Sequence, residues 1–404
     1  MRKILTYSAL LLLGLVGSQF LPDLAGGAYR LTTETVSFLT MVGLSFIMIH
    51  VGYEFHLDKS RLRSYGWDYL VAMTTAGFPW LFAALYFVFV MLPPEVRGLG
   101  DTWKETLLIG RFAAPTASGV LFAMLAAAGL SATWMFHKTR VLVIFDDLDT
   151  VLLMIPLKIL LVGLAWQLGL AVVVMVVLLL VAWRWLHRIS LPVTWPWVLT
   201  YAVVITGISE FIYLGTTLLD ASVPVHIEVL LPAFVLGAII RQPQGGETEH
   251  VLETPSEQRA GTIISGLFMV LVGLSMPVFI GGGAVPAKPV SASIQGVLAA
   301  QPAMSAGVIA LHVLVLTLLI NVGKMFPAFV YRREAHWRER LAVAIGMCPR
   351  GEVGAGIIIL SLGYGIAGPV VTVAVLSLAL NLLLTPLFLT IVVKLLARVP
   401  RPAL

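Results

Sequence analysis

Long apolar runs separated by brief polar stretches dominate the chain. They run approximately over 4–22, 32–54, 66–92, 105–130, 138–163, 165–187, 194–220, 225–242, 259–282, 306–330, 338–363 and 368–396. A helix needs about 20 apolar residues to cross a hydrocarbon core roughly 30 Å thick, and most of these runs reach that length. The pattern predicts an all-α polytopic membrane protein with about 12 transmembrane helices. Most connections are short; the longer ones are the acidic stretch 241–258 and the Gly/Pro-rich, nearly uncharged stretch 281–305. No separate soluble domain interrupts the series, so residues 1–404 read as a single membrane domain.

Composition agrees with the pattern. Charged residues make up 12% of the chain, about half the usual share of a soluble domain, and the mean hydropathy is +0.96. The net charge of +5 would point to nucleic acid in a soluble protein. Here Lys and Arg gather in alternate loops, which instead orients a membrane bundle. With the N-terminus in the cytoplasm, the outer loops hold only Arg30, Arg97, Lys104 and Lys288. Both termini are then cytoplasmic. The run after Met1-Arg2-Lys3 could serve as a signal peptide, but the alternation of charge needs it as a retained first helix. The lone Cys348 excludes an internal disulfide framework.

Charges inside apolar segments are costly and usually face a cavity. The fifth segment carries Asp146, Asp147 and Asp149 within four residues. Helical geometry puts Asp146 and Asp149 on one face and turns Asp147 about 100° away. Carboxylates this close cannot all stay charged in a low dielectric, so the group exchanges small cations and protons as a coupled unit. The fourth segment contains Pro115 in Arg111–Gly119, and the eleventh contains Pro349-Arg350-Gly351-Glu352. Proline breaks helical bonding, and unwound backbone survives in a membrane only against protein or a watery cavity. The two interruptions occupy corresponding places in segments 1–5 and 8–12, predicting inverted repeats with broken helices 4 and 11 and a site between them. In the tenth segment Lys324 either snorkels or pairs with the aspartate cluster or Glu352. Glu210, in the seventh, needs a partner or a proton. His226, Glu228, His50 and Glu54 read as solvated groups near segment ends, His312 as a hydrogen-bonded helix residue, and Cys348 as a packing residue. Lys158 reads as lying near the outer surface.

At these residues the chain resembles the bacterial cation/proton antiporter superfamily, and specifically its sodium/proton antiporter branch of the two-aspartate, electrogenic type. The resemblance covers nearly the whole chain. It rests on Gly52-Tyr53-Glu54-Phe55, Ala114-Pro115-Thr116-Ala117-Ser118-Gly119, the Asp146-Asp147 pair, Pro232–Gly237, Met269–Gly273, Lys324 and Pro349–Gly354. It implies that Asp147 carries the ion and proton, that Asp146 pairs with Lys324 when sodium is absent, and that Glu352 lies near that lysine. It also implies a homodimer in the lipid bilayer of the bacterial inner (plasma) membrane. Residues 66–163 and 306–396 would form a mobile ion-transporting core. Residues 1–65 and 165–282 would form mainly dimer or panel helices and linkers.

Combined with the residues, the expected function is exchange of Na⁺ (or Li⁺) for H⁺ by an elevator-type mechanism, with K⁺/H⁺ exchange as the alternative. The transported cation would sit on oxygens of Asp147, Asp146 and the backbone region of Thr116 and Ser118, as hard cations prefer. Arg350 and Glu352 would offset the dipoles of the half-helices. No cofactor, nucleic acid or enzymatic activity is expected. Gly98-Leu99-Gly100-Asp101 matches a motif of intramembrane aspartyl proteases, but it sits in an expected outer loop without a partner aspartate motif. Asp149, Arg111 and Lys158 depart from the family pattern.

Overall fold

The computed structural model describes residues 2–55, 62–163, 166–219, 229–241, 255–276, 297–298, 301–302 and 304–399. Among these the chain forms α-helices and short 3₁₀ or π turns, with no β-strand and an isolated bridge between Ile189 and Ile240. The helices are α1 (Arg2–Ala25), α2 (Tyr29–Tyr53), α3 (Leu62–Tyr86), α4 (Gly100–Gly110), α5 (Ser118–Ala127), α6 (Trp134–Val162), α7 (Trp166–Trp185), α8 (Trp195–Leu219), α9 (Leu230–Ile239), α10 (Pro255–Leu274), α11 (Ala306–Gly323), α12 (Phe326–Phe329), α13 (Trp337–Gly346), α14 (Glu352–Gly363) and α15 (Pro369–Ala397). Seven helical stretches among the described residues are long and apolar enough to cross a membrane.

Helix ends follow local chemistry. Thr133 caps α6 by accepting the Phe136 N–H at 3.2 Å, which satisfies one of the free donors of a helix start. His336 and Glu339 form a capping box at α13. Gly368, at φ +93°, turns the chain into α15, whose first residue, Pro369, brings a preset helical φ. The tenth apolar segment differs from expectation. It divides into α11 and α12, because the helix ends at Gly323 and Lys324 occupies its C-cap. The eighth segment is described as a helix only over Leu230–Ile239, and His226 and Glu228 lie outside the described residues.

The chain divides into two compact units. One comprises Ala9–Ser60 and Leu164–Ser275. Its packing depends on glycine at two crossings. A Cβ on Gly52 of α2 would lie 2.1 Å from the Phe234 carbonyl oxygen of α9, and one on Gly237 of α9 would lie 2.0 Å from that of Ile49. A Cβ on Gly14 of α1 or on Gly273 of α10 would meet the partner backbone as closely, at 2.1 and 2.3 Å. Small residues that let backbones touch are the usual means of helix association where no hydrophobic effect operates. His187, after α7, ties three helix ends together: its Nε2 lies 2.9 Å from the Phe55 carbonyl and its Nδ1 3.1 Å from that of Ile240. His50 and Glu54 are half-buried rather than solvated, with His50 Nδ1 2.9 Å from the Phe46 carbonyl. Along α7 only Gln167, Leu168 and Met175 are buried, the pattern of a helix whose apolar surface faces lipid.

The other unit comprises Met1–Ser8, Arg61–Gly163 and Met276–Leu404. At one end, Asp68 of α3 accepts from Lys138 of α6 (3.0 Å) and from the Tyr331 hydroxyl (2.7 Å), while Lys138 also meets Glu334 at 2.9 Å. His312 sits 2.8 Å from the Tyr86 hydroxyl, and Cys348 is buried in packing, both as expected. Lys158 is half-buried on α6. Asp101, of the protease-like motif, makes a half-exposed pair with Lys104 one turn along α4.

Candidate functional site

Two lapses of helical geometry build the site. The first covers residues 114–117, between the 3₁₀ turn Arg111–Ala113 and α5. The second covers residues 347–351, between α13 and α14. Each contains a proline that cannot donate a helical hydrogen bond. The two stretches bond directly to one another: the Ala117 N–H donates to the Pro349 carbonyl at 2.9 Å.

Asp146, on α6, is fully buried against them. Its Oδ2 accepts the Thr116 N–H at 2.9 Å and the Thr116 hydroxyl at 2.7 Å. The Lys324 ammonium completes the knot, 3.2 Å from Asp146 Oδ2 and 3.1 Å from Thr116 Oγ1, with both charged side chains wholly buried. Of the two partners left open for Lys324, the structure places it on the aspartate. Thr116 Oγ1 also lies 3.2 Å from the Met347 carbonyl of the second stretch. Asp146 Oδ1 and Ser118 Oγ are buried and have no hydrogen-bond partner among the described residues. Buried oxygens are nearly always satisfied, so these two are suited to a hard cation.

Asp147 and Asp149 diverge as the helical spacing predicts. Asp149 is buried like Asp146, whereas Asp147 is half-buried. Asp149 Oδ1 accepts from the Tyr69 hydroxyl at 2.8 Å. Arg111 donates from Nη2 to the Asp149 carbonyl at 2.8 Å and stacks over the Trp80 ring at 4.8 Å. Arg111 is completely buried, so this cation belongs to the interior.

Arg350 shows how the lapses are tolerated. With the Ala117 N–H turned to Pro349, the Ala113 carbonyl lacks its helical donor, and Arg350 Nε supplies one at 2.7 Å. Likewise the Lys324 N–H bonds to Asn321 rather than Ile320, and Arg350 Nη2 donates to the Ile320 carbonyl at 3.1 Å. Its Nη1 reaches the Cys348 carbonyl at 3.0 Å and Asn321 Oδ1 at 2.9 Å. One guanidinium thus gathers oxygens from α11, from the 3₁₀ turn that leads into the first stretch and from the second stretch, at helix ends where partial negative charge collects. Glu352 opens α14; its side chain lies outside the described residues. Glu210 lies on α8, half-buried, in the other unit.

Sequence reading missed Asn321, Asn381, Tyr69 and Trp80 as contributors here. None carries a charge at neutral pH, so a search for charges within apolar segments does not mark it, and each meets partners far along the chain.

Comparison with known proteins gives consistent results. No curated protein sequence matches the chain. Solved structures of the sodium proton antiporter MjNhaP1 from Methanocaldococcus jannaschii are similar in fold. One, at pH 8, has a TM-score of 0.53 and 16% identity; an electron-microscopy structure has a TM-score of 0.55 and 14% identity. Each comparison covers 97% of this chain and 92% of the other. The profile of the transmembrane sodium/hydrogen exchanger family matches residues 2–395. The chain is therefore a member of the sodium/hydrogen exchanger family, within the cation/proton antiporter superfamily.

Proposed function

We propose that this protein exchanges Na⁺ (or Li⁺) for H⁺ across the plasma membrane by elevator-type alternating access. Membership in the family establishes cation/proton antiport. The observation that carries the finer reading is the Asp146–Thr116–Lys324 knot, seated where the two unwound stretches meet.

In this reading, Lys324 holds Asp146 while the site lacks a transported cation. An entering Na⁺ takes oxygens from Asp147 and Asp146, helped by Thr116 and Ser118, and the ammonium withdraws from Asp146. Protons compete with Na⁺ for the carboxylates, so higher pH favours cation binding. Arg350 and Glu352 offset the half-helix ends that face the cation. The lapses at 114–117 and 347–351 are the broken helices of an inverted repeat. Residues 66–163 and 306–396 form the moving core, and residues 1–65 and 165–282 form the panel on which two copies pair. Both chain ends face the cytoplasm. The choice of Na⁺ over K⁺ draws support from the likeness to a sodium proton antiporter and from the small oxygen-rich setting of Asp146.

The test is cation-driven collapse of a pH gradient in everted membrane vesicles, comparing wild type with Asp147→Asn. Wild type is expected to respond to Na⁺ and Li⁺ and not to K⁺, and Asp147→Asn is expected to be silent. Wild-type proton movement by Asp147→Asn would overturn the site. A K⁺ response equal to the Na⁺ response would overturn the ion choice.

A further inference from the structure

We propose that Asn321 and Asn381 are positioning residues of the transport cycle. They fix the guanidinium that ties α11 to the turn before the first unwound stretch and to the second. This rests on the reading of Thr116, Asp146 and Lys324 as the transport site.

Asn381 is fully buried on α15, the one side-chain amide in a mainly apolar helix. Its Oδ1 accepts from Asn321 Nδ2 at 3.2 Å, and Asn321 Oδ1 accepts from Arg350 Nη1 at 2.9 Å. The direction of this chain is set by chemistry. A guanidinium only donates, so Asn321 must turn its oxygen to Arg350 and its NH₂ to Asn381. Asn381 must then turn its own oxygen to Asn321. Its Nδ2 is left without a hydrogen-bond partner among the described residues. Burying a polar donor without a partner is costly, so the arrangement serves a purpose other than packing.

That purpose follows from what Arg350 touches. It bonds the carbonyls of Ala113, Cys348 and Ile320. Ala113 lies just before the stretch containing Thr116, Cys348 lies in the stretch facing it, and Ile320 lies one turn before Lys324. A rotation of the guanidinium would release all three at once and would shift Thr116 and Lys324 relative to Asp146. Asn321 holds one edge of that guanidinium, and Asn381 holds Asn321. The amides therefore act through Arg350 on cation affinity. They do not touch the cation.

The test uses purified, size-homogeneous full-length protein in vesicles, with Na⁺-driven proton movement read as an apparent KM and a maximal rate. Leucine matches asparagine in size without its hydrogen bonds. Asn381→Leu is expected to raise the Na⁺ KM by about 10-fold, the cost of one lost hydrogen bond near a charge, and to leave the maximal rate nearly unchanged. Asn381→Asp, whose carboxyl burial keeps in its neutral form, keeps an acceptor for Asn321 and is expected to recover most of that loss. Because both amides belong to one chain, the Asn321→Leu/Asn381→Leu pair is expected to cost no more than Asn321→Leu alone. An unchanged KM in Asn381→Leu would overturn the inference, as would strictly multiplicative effects in the pair. If Asn381→Leu does not assemble, Asn381→Asp decides: a KM raised 10-fold or more despite the retained acceptor would overturn it. Asp147→Asn is run alongside. Its activity reports on the transport site itself, so failure of that reading is seen separately from failure of the amide chain.

Discussion

Removing the Lys324 ammonium is expected to destabilise the protein more than removing both members of its pair. Nζ and Oδ2 lie 3.2 Å apart with neither side chain exposed. At an effective dielectric near 20 their attraction is about 5 kcal/mol, offset by the cost of taking both charges out of water. Lys324→Met loses the attraction but leaves Asp146 buried without its cation, and breaking one half of a buried pair typically costs about 3–5 kcal/mol. Asp146→Asn is the mirror case, leaving a buried ammonium without its anion. The double variant Asp146→Asn/Lys324→Met removes both charges, and the new amide oxygen can still accept from the Thr116 N–H and hydroxyl. It is expected to fall within about 1–2 kcal/mol of wild type. The assay is thermal unfolding of purified protein in detergent without Na⁺, followed by tryptophan fluorescence. Each single variant is expected to melt on the order of 5 °C or more below wild type, with the double variant between them and wild type. A double variant that melts at or below either single would refute the charge-balance reasoning. Transport is not the readout here, since the double variant dismantles the proposed transport site.

Three further outcomes follow from the geometry. Gly237→Ala would press a methyl into the Ile49 carbonyl and is expected to abolish the monodisperse peak in size-exclusion chromatography, whereas Gly66→Ala, with open space around it, leaves the peak unchanged. Tyr331→Phe is expected to cost about 1–3 kcal/mol by deleting the bond to Asp68. The Tyr331 hydroxyl, outside the spanning segments, is pushed well above its ordinary value, chiefly by burial and then by Asp68. A raised value means that its contribution is complete below the unfolded tyrosine pKa of roughly 10 and fades only above it. The decrement in denaturation midpoint should therefore be equal at pH 6 and pH 9, and a decrement that shrinks across that window would count against it. Arg111→Lys is expected to lower stability by about 1–3 kcal/mol despite the kept charge, because an ammonium cannot reproduce the flat stacking on Trp80; an unchanged melting curve would contradict this.

Much of the fold could be read from hydropathy because the bilayer sets one length for every crossing. The fifth apolar run, placed at 138–163, appears as α6 over Trp134–Val162, and the second, placed at 32–54, as α2 over Tyr29–Tyr53. The charged members of the candidate site are legible for a related reason. An ionised group in an apolar run is conspicuous, and Asp146, Lys324 and Arg350 are each wholly buried where such a group demands partners. The departures from helical geometry around Pro115 and Pro349 are readable as missing donors. What escaped reading has no such local mark. Asn381 is one amide in an apolar helix, and its partner Asn321 is 60 residues away. Asp68 and Lys138 lie near segment starts, where charges are common, and nothing in their neighbourhoods signals that Tyr331 joins them. The split of the tenth segment at Gly323 also went unread. This one did have a local mark: Pro327, four residues on, has no N–H to give the Gly323 carbonyl, and its ring crowds that carbonyl.

The glycine seams have a consequence for how the protein is made. Gly14 and Gly52 enter the bilayer with the first two helices, but the backbones they notch against, at Gly273 and Gly237, are synthesised much later. At roughly 5–20 residues per second, a gap of about 185 residues between Gly52 and Gly237 means a wait on the order of ten seconds or longer. During that interval lipid or the insertion machinery must fill both notches. A nascent chain arrested before α9 would therefore carry two open grooves, a recognisable mark for membrane quality control.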